Sequence, residues 1–161
     1  MLNLTMNISI LTVGKIKESF WNEAIDEYIK RISPYAKISF IEIENKAFKD
    51  SEQANVIKKQ EAELILKKIE ATPAIIIALD EHEKEFSSIE FSKFLEQKTA
   101  HGDHIIFIVG GPRGLHSSVL EKTHHKISLS QMTFPHNLAK VVLIEQIYRA
   151  ITIVKEKVYH Y

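Results

Sequence analysis

The stretch SLSQMTFPHNLAKVVLIEQIYRA, residues 128–150, decides how this chain folds. A short strand-like piece leads through a polar loop, which contains Pro135, into a helix predicted over 136–157. That helix is apolar on nearly every side, and a helix of this kind must be buried on more than one face. A sheet can cover one face. A second subunit in a twofold homodimer is the most economical cover for the other.

Short apolar segments alternate with segments of helical spacing along the rest of the chain. The pattern predicts strands at 7–13, 37–43, 74–79, 104–109 and 126–129. It predicts helices at 18–32, 51–70, 87–99, 117–122 and 136–157. Because the middle strands are apolar on both faces, we expect an α/β fold with a mostly parallel sheet between helices. No linker divides residues 1–161, which predicts a single domain, with a flexible loop at 45–50.

Composition excludes several classes of function. The chain has 21 basic and 21 acidic side chains and no net charge, which argues against a basic coat for nucleic acid. It has no cysteine, and therefore no disulfide, thiolate metal site or cysteine nucleophile. No apolar run approaches the roughly 20 residues that span a membrane, and no secretory signal is recognisable. These features predict a cytoplasmic protein.

Three strand ends carry residues that could hold a ligand. In open parallel sheets, ligands bind at the carboxyl ends of the strands. The three ends here are Leu79 with Asp80, the stretch GGPRG at 110–114, and the loop from Ser130 to Pro135. Taken alone, GGPRG is equally well interpreted as a tight turn. The chain has neither a P-loop nor a G-x-G-x-x-G after its first strand, so a nucleotide-type ligand would bind late in the chain.

Metal and hydrolase chemistry find no support in the motifs. His101 and His104 flank a Gly-Asp turn, and His124 and His125 are adjacent, so neither pair has the spacing of a metal site. With no cysteine and no H-E-x-x-H, we predict no metal site. No G-x-S-x-G elbow for a nucleophilic serine occurs either.

Charged and aromatic residues near the C-terminus offer two interpretations. Glu145 and Arg149 stand at i, i+4 in the last helix, which favours a simple ion pair, although the arginine could instead face a polar ligand. The tail places Tyr159 and His160 after two lysines. This combination suits contact with single-stranded RNA, in which tyrosine stacks on a base and lysine meets phosphate.

Four stretches together resemble one known family. They are TVGKIKESFWNEAIDEYIKRISPY, GGPRGLHSSVL, the segment quoted above and the final YH. They resemble the SPOUT, or alpha/beta-knot, methyltransferases, and among these the RlmH family of large-subunit ribosomal RNA pseudouridine N3-methyltransferases. The resemblance runs from about Met6 to the C-terminus. It implies a parallel sheet whose C-terminal segment forms a trefoil knot, a feature that the apolar pattern alone would not suggest.

The resemblance also implies a cofactor, a partner and a substrate. S-adenosylmethionine would lie in the knot without any metal. The protein would act as a homodimer on a pseudouridine in helix 69 of 23S rRNA, within the assembled 70S ribosome. The implied cofactor-binding residues are Leu79, Gly111, Ser130, Gln131, Met132, Thr133, Phe134 and Pro135.

Catalytic roles are assigned as hypotheses from residue type and from the family's C-terminal YH. His160 would accept the N3 proton, and Arg149 would hold a phosphate or the anionic base. Tyr159 would position the base, and Lys140 would join these three residues in contacting RNA.

The chain departs from the family at several of these places. Many members have arginine where Lys140 stands, a Gly-Glu pair where Glu156 and Lys157 stand, and a basic residue where Tyr161 stands. Each change touches an expected RNA contact. Members usually begin where Met6 stands, so residues 1–5 are predicted to be dispensable and disordered, unless translation starts at Met6.

Two other functions are compatible with the same sequence. One is a different SPOUT specificity, such as a tRNA methyltransferase, although the chain has no room for the extra RNA-binding segments that such enzymes commonly carry. The other is a dimeric ribosome-binding module without catalysis, which the intact GGPRG and SQMTFP loops disfavour.

Overall fold

A computed structural model of the chain describes residues 5–44 and 51–159, with the backbone alone for 51–53. The predicted loop at 45–50, most of the N-terminal extension, His160 and Tyr161 lie outside the described residues. The elements within them are β1 (Met6–Val13), α1 (Ser19–Ile32), β2 (Ala36–Ile43), α2 (Ser51–Glu70), β3 (Ile75–Leu79), α3 (Ser88–Thr99), β4 (His104–Val109), α4 (Ser117–Leu120), β5 (His125–Ile127) and α5 (His136–Val154).

The strands form one parallel sheet in the order β2-β1-β4-β3-β5. The predicted α/β fold with a parallel sheet is confirmed. Because all strands run in the same direction, the carboxyl ends of β3, β4 and β5 meet at one edge of the sheet. The trefoil knot implied by the resemblance stays a prediction.

Two apolar cores lie on opposite faces of the sheet. In β4, Ile105 and Phe107 pack with α1, α3 and α5, whereas Ile106 and Ile108 pack with α2 and α4. All four side chains are fully buried. This alternation explains why the central strands read as continuous apolar runs, since both of their faces need a cover.

Helix α5 is covered mainly by its own chain. It packs on the sheet between α1 and α3, where Tyr148 meets Tyr28 at 6.1 Å between ring centroids and Gln146 accepts a hydrogen bond of 3.1 Å from Ser88. Every residue from His136 to Val154 is buried or half-buried. The neighbouring helices thus supply part of the cover that we expected from a partner subunit, and residues such as Leu138 and Val142 are only half-buried within the chain. The homodimer stays a prediction.

Helix α5 ends at Val154, three residues earlier than predicted, because the chain turns there. Glu156 has a φ of 52°, in the left-handed region, and its N–H donates to the Ile153 carbonyl at 3.0 Å. The N–H of Lys157 donates to the Thr152 carbonyl at 2.8 Å, so the two bonds together form a Schellman motif. That motif favours glycine at the position of Glu156.

Replacing Glu156 with glycine should therefore stabilise the protein. A left-handed conformation costs a residue with a side chain about 1–2 kcal/mol, and part of this gain is offset by the greater freedom of glycine in the unfolded chain. We expect the free energy of unfolding to rise by about 0.5–1 kcal/mol in a urea titration. Lys155→Gly is the matched control, since Lys155 has an ordinary φ of −89° and should lose stability. Equal changes in the two variants would contradict the strain at Glu156.

No helix within residues 5–44 and 51–159 combines the length and apolarity needed to cross a membrane.

Candidate active site

A cavity of about 820 Å³ lies at the carboxyl ends of β3, β4 and β5. This volume is in the range of small-molecule sites. The three strand ends identified from the sequence all contribute to it. Seven of the eight predicted cofactor-binding residues line it, namely Leu79, Gly111, Ser130, Met132, Thr133, Phe134 and Pro135. Gln131 belongs to the same loop but is not part of the lining.

The GGPRG stretch is both a tight turn and a wall of the cavity. The turn is closed by a hydrogen bond of 3.0 Å from the Gly114 N–H to the Gly111 carbonyl, and Gly114 has a φ of 72°. A Cβ on Gly110 would lie 2.9 Å from the carbonyl carbon of Gly114. The turn therefore needs a glycine at 110 for space and one at 114 for its conformation. Both interpretations of this stretch describe the same structure.

Two carboxylates on the segment after β3 hold the polar loop at 130–135. The backbone N–H of Gln131 donates to Oε1 of Glu85 at 2.7 Å, and the Thr133 hydroxyl donates to Oε2 of Glu81 at 2.6 Å. The sequence did not identify these carboxylates as site residues. Their signal in the sequence is the acidic run DEHEKE directly after β3. The loop that these carboxylates hold lies 46 to 52 residues further along the chain, so the pairing is seen only in the fold.

Replacing Thr133 with valine should loosen this loop. A hydrogen bond to a carboxylate contributes about 1 kcal/mol at an exposed position, which corresponds to roughly a fivefold change in the local opening equilibrium. We expect the amide protons of the loop to exchange about five times faster in the variant. Glu81→Gln is the control because its amide oxygen can still accept the bond, so exchange should change less. Identical exchange in Thr133→Val and wild type would contradict this role for Thr133.

Arg149, Glu145 and Tyr159 form one polar cluster at the end of α5. Arg149 donates to Oε1 of Glu145 through Nη2 at 2.6 Å and Nε at 3.0 Å, and its guanidinium lies 4.9 Å from the centroid of the Tyr159 ring. Arg149 thus forms the predicted ion pair with Glu145 and also contacts Tyr159, while its role towards a polar ligand stays a prediction. Burial, together with the neighbouring Tyr28, raises the pKa of Tyr159 to about 12.

This cluster does not line the cavity of its own chain within the residues described. The structure therefore does not bring Arg149 and Tyr159 together with the predicted cofactor-binding residues. His160 lies outside the described residues, and its predicted role as proton acceptor is untested.

Lys140 was predicted to contact RNA, but it lies in the protein interior. Its side chain is only 1% exposed, and Nζ donates to Oδ1 of Asn137 at 3.3 Å. Burial lowers the pKa of Lys140. A side chain in this position cannot contact RNA directly, which corrects our expectation. The physical reason is that position 140 belongs to the same helical stripe as Leu143, Ile144 and Ile147, which faces the sheet.

The cavity also has titratable lining residues. Asp80 and Arg113 belong to strand ends that the sequence indicated, whereas the sequence did not indicate Lys58 from α2, Glu81 and His82 after β3, or His136 at the start of α5. Lys58 and His136 come from helices, and no motif identifies them. Among the residues that the structure describes, no three histidine or carboxylate side chains are grouped closely enough to hold a metal ion.

A parallel sheet covered on both faces, with a ligand cavity built from a glycine turn and a polar loop before the last helix, defines a class of α/β enzyme. The family described as "Predicted SPOUT methyltransferase" matches residues 6–160. The chain belongs to the SPOUT methyltransferase family, and it is a methyltransferase.

Two relatives show which members of the family this chain is similar to. A protein of Clostridium botulinum called Ribosomal RNA large subunit methyltransferase H is 45% identical over 159 residues, which cover 96% of this chain and 99% of the relative. A protein of the same name from Carboxydothermus hydrogenoformans is 43% identical over 160 residues, with the same shares covered. The resemblance read from the motifs is confirmed.

Solved structures support the fold. One is a probable methylase family protein from Haemophilus influenzae, with a TM-score of 0.58 and 12% identity, covering 97% of this chain and 71% of that chain. Another is TrmJ from Z. mobilis, with a TM-score of 0.55 and 9% identity, covering 91% and 70%. At such low identity the likeness concerns the fold alone.

Proposed function

We propose that this protein transfers a methyl group from S-adenosylmethionine to N3 of a pseudouridine in helix 69 of 23S rRNA, on the assembled 70S ribosome. One observation carries the proposal. The chain is 45% identical, over nearly its whole length, to relatives named Ribosomal RNA large subunit methyltransferase H. The location follows from the substrate, so we place the protein in the cytoplasm.

The cavity fits S-adenosylmethionine in size and chemistry. Its volume of about 820 Å³ suits a nucleoside with an amino-acid arm, and apolar side chains such as Leu79, Val109 and Leu129 suit the adenine ring. The glycine turn lets the backbone come close to the ligand. When bound, S-adenosylmethionine supplies a methyl group activated by its positively charged sulfur.

The residues of this chain have two tasks in such a reaction. They must hold N3 in line with the methyl group, which converts a bimolecular encounter into an oriented one. They must also remove the N3 proton, because a protonated imide nitrogen is a poor nucleophile. The backbone of the turn at 110–114 and of the loop at 130–135 supplies the first. A proton acceptor must supply the second.

A homodimer would explain how the C-terminal residues reach a cavity that they do not line in their own chain. Arg149 and Tyr159 do not line the cavity of their own chain, and a second copy offers a way to bring such a cluster to a cavity. We therefore propose that the dimer unites Arg149, Tyr159 and His160 with the RNA.

We further propose that residues 1–161 form a single knotted domain and that residues 1–5 are dispensable.

A methylation assay tests the function. Purified protein would be incubated with radiolabelled S-adenosylmethionine and with 70S ribosomes, separated subunits or tRNA in parallel. We expect methyl incorporation into 23S rRNA of 70S ribosomes, at N3 of one pseudouridine. Incorporation into tRNA instead would indicate a different SPOUT specificity. Failure to bind S-adenosylmethionine at millimolar concentration in calorimetry would indicate a module without catalysis.

A further inference from the structure

His136 lines the cavity, and among the residues described its ring is not committed to another hydrogen bond. Oδ1 of Asp80 accepts the His82 N–H at 3.0 Å, and Glu81 accepts the Thr133 hydroxyl. The side chain of His82 is 84% exposed to water. Within the described part of the chain, the half-buried ring of His136 has no hydrogen-bond partner. It is therefore available to a ligand in the cavity.

The surroundings of His136 favour the neutral form of its ring. Burial lowers the pKa of His136, the charge of Lys140 lowers it further, and Glu18 opposes them. Lys140 lies one turn along α5, and Glu18 lies just before α1, where its Oε2 accepts a hydrogen bond of 3.3 Å from Asn137. The N-terminus of α5, where His136 is the first residue, also disfavours an imidazolium ion. Across the cavity lie Lys58, Asp80, Glu81, His82 and Arg113.

We propose that His136 accepts the N3 proton of the target base during methyl transfer. The N3–H bond breaks, and its proton moves to the unprotonated ring nitrogen of His136. The N3 electron pair forms a bond to the methyl carbon, and the carbon–sulfur bond breaks with its electrons remaining on sulfur. The imidazolium then releases the proton to water. This inference rests on the proposed function and assigns a proton acceptor to it.

The surroundings of His136 would also favour the target nucleobase in its deprotonated form. Lys140 and the N-terminus of α5 create a positive potential where His136 lines the cavity, and a positive potential stabilises an anion that develops at N3. Lys140 would act through this potential and not through contact with RNA. It is thus a positioning residue, and its buried location has a function in the reaction.

Steady-state kinetics on 70S ribosomes test the proton transfer. His136→Asn cannot accept the proton, so kcat should fall about 100-fold or more, whereas the Kd for S-adenosylmethionine should stay within about threefold. His101→Asn, in an exposed turn, is the control and should keep the wild-type kcat. Thermal unfolding of His136→Asn and of a second variant, His136→Gln, would confirm that both fold. Wild-type kcat in a folded His136→Asn would overturn the proposal.

The pH dependence separates a chemical role from a structural one. Wild-type kcat should rise with pH through a midpoint below the ordinary histidine value, because only the neutral ring accepts a proton. Lys140→Met removes the charge that lowers this pKa, so the midpoint should move to higher pH. NMR titration of the His136 ring in the protein without ligands should show a pKa below the ordinary histidine value and a shift to higher pH in Lys140→Met, independently of activity. An unmoved midpoint in both measurements would overturn the proposal.

His160 is the competing proton acceptor, and the same assay decides between the two. Our inference fails if His160→Asn lowers kcat and abolishes its rise with pH while His136→Asn keeps the wild-type kcat and pH profile. In that case the C-terminal tail supplies the proton acceptor. If the wild-type protein binds S-adenosylmethionine but methylates no ribosomal RNA, the proposed function itself fails. Methylation by the wild type with an unaffected His136→Asn refutes only the role of His136.

Discussion

Gly110→Ala should weaken the binding of S-adenosylmethionine, the proposed cofactor, about 30-fold. A Cβ at this position would lie 2.9 Å from the Gly114 carbonyl carbon and 3.1 Å from the Leu115 nitrogen. Both are backbone atoms of the turn, so they can move apart only if the turn opens. Overpacking of this kind costs about 1–3 kcal/mol. The turn would relieve it by changing its conformation, which changes the shape of the cavity. Calorimetric titration with S-adenosylmethionine measures the change in Kd.

Gly111→Ala is the matched comparison, one residue further along. Its Cβ would lie 3.4 Å from Cγ1 of Val13, which is ordinary contact distance, and it would point toward β1 and α2. We expect a loss of no more than about threefold in affinity, well below the loss that overpacking causes. If the two variants bind equally well, the crowding at Gly110 is not what shapes the cavity.

Phe107→Ala should lower the free energy of unfolding by about 3–5 kcal/mol. Phe107 is fully buried in β4, paired with Ile10 of β1 and Ile77 of β3, and its ring lies 6.2 Å from that of Phe91 in α3. Its removal leaves a cavity between the sheet and the helices that the rigid central strands cannot close. For a chain of this length, the loss corresponds to a decrease in Tm of roughly 6–20 °C.

Phe20→Ala provides the control for this prediction. Phe20 is 58% exposed in α1, so its truncation should change the stability by no more than about 0.5 kcal/mol. Urea denaturation of both variants gives the two free energies under the same conditions. A loss below about 1 kcal/mol for Phe107→Ala would mean that the core around β4 relaxes far more than close packing normally allows.

Features that depend on neighbours in the sequence were predicted correctly. The helix predicted from 87 begins there with a capping box, in which the Ser87 N–H donates to Oε2 of Glu90 at 2.8 Å and the Glu90 N–H donates to the Ser87 hydroxyl at 3.2 Å. The apolar run HIIFIV is the buried strand β4. The strand ends at Leu79 and Gly111 meet in one cavity, because parallel strands place their carboxyl ends at the same edge.

Features that depend on distant partners were predicted less well. The cover of α5 was assigned to the sheet and a second subunit, whereas α1 and α3 supply part of it. The second subunit stays a prediction. Lys140 was expected to contact RNA, and it is buried beside Asn137. The sequence does not show that Glu81 holds Thr133. It also does not show that His136 lines the cavity.

The sequence by itself determined the alternating strands and helices, the parallel sheet and the two loops that line the cavity, and its motifs identified the family. These features follow from short-range periodicity and from turn chemistry, which neighbouring residues specify. Only the tertiary structure decided which groups face the cavity, which carboxylates hold its loop and what buries α5. Those contacts join residues far apart in the chain, and their geometry arises from the packing of whole helices on the sheet.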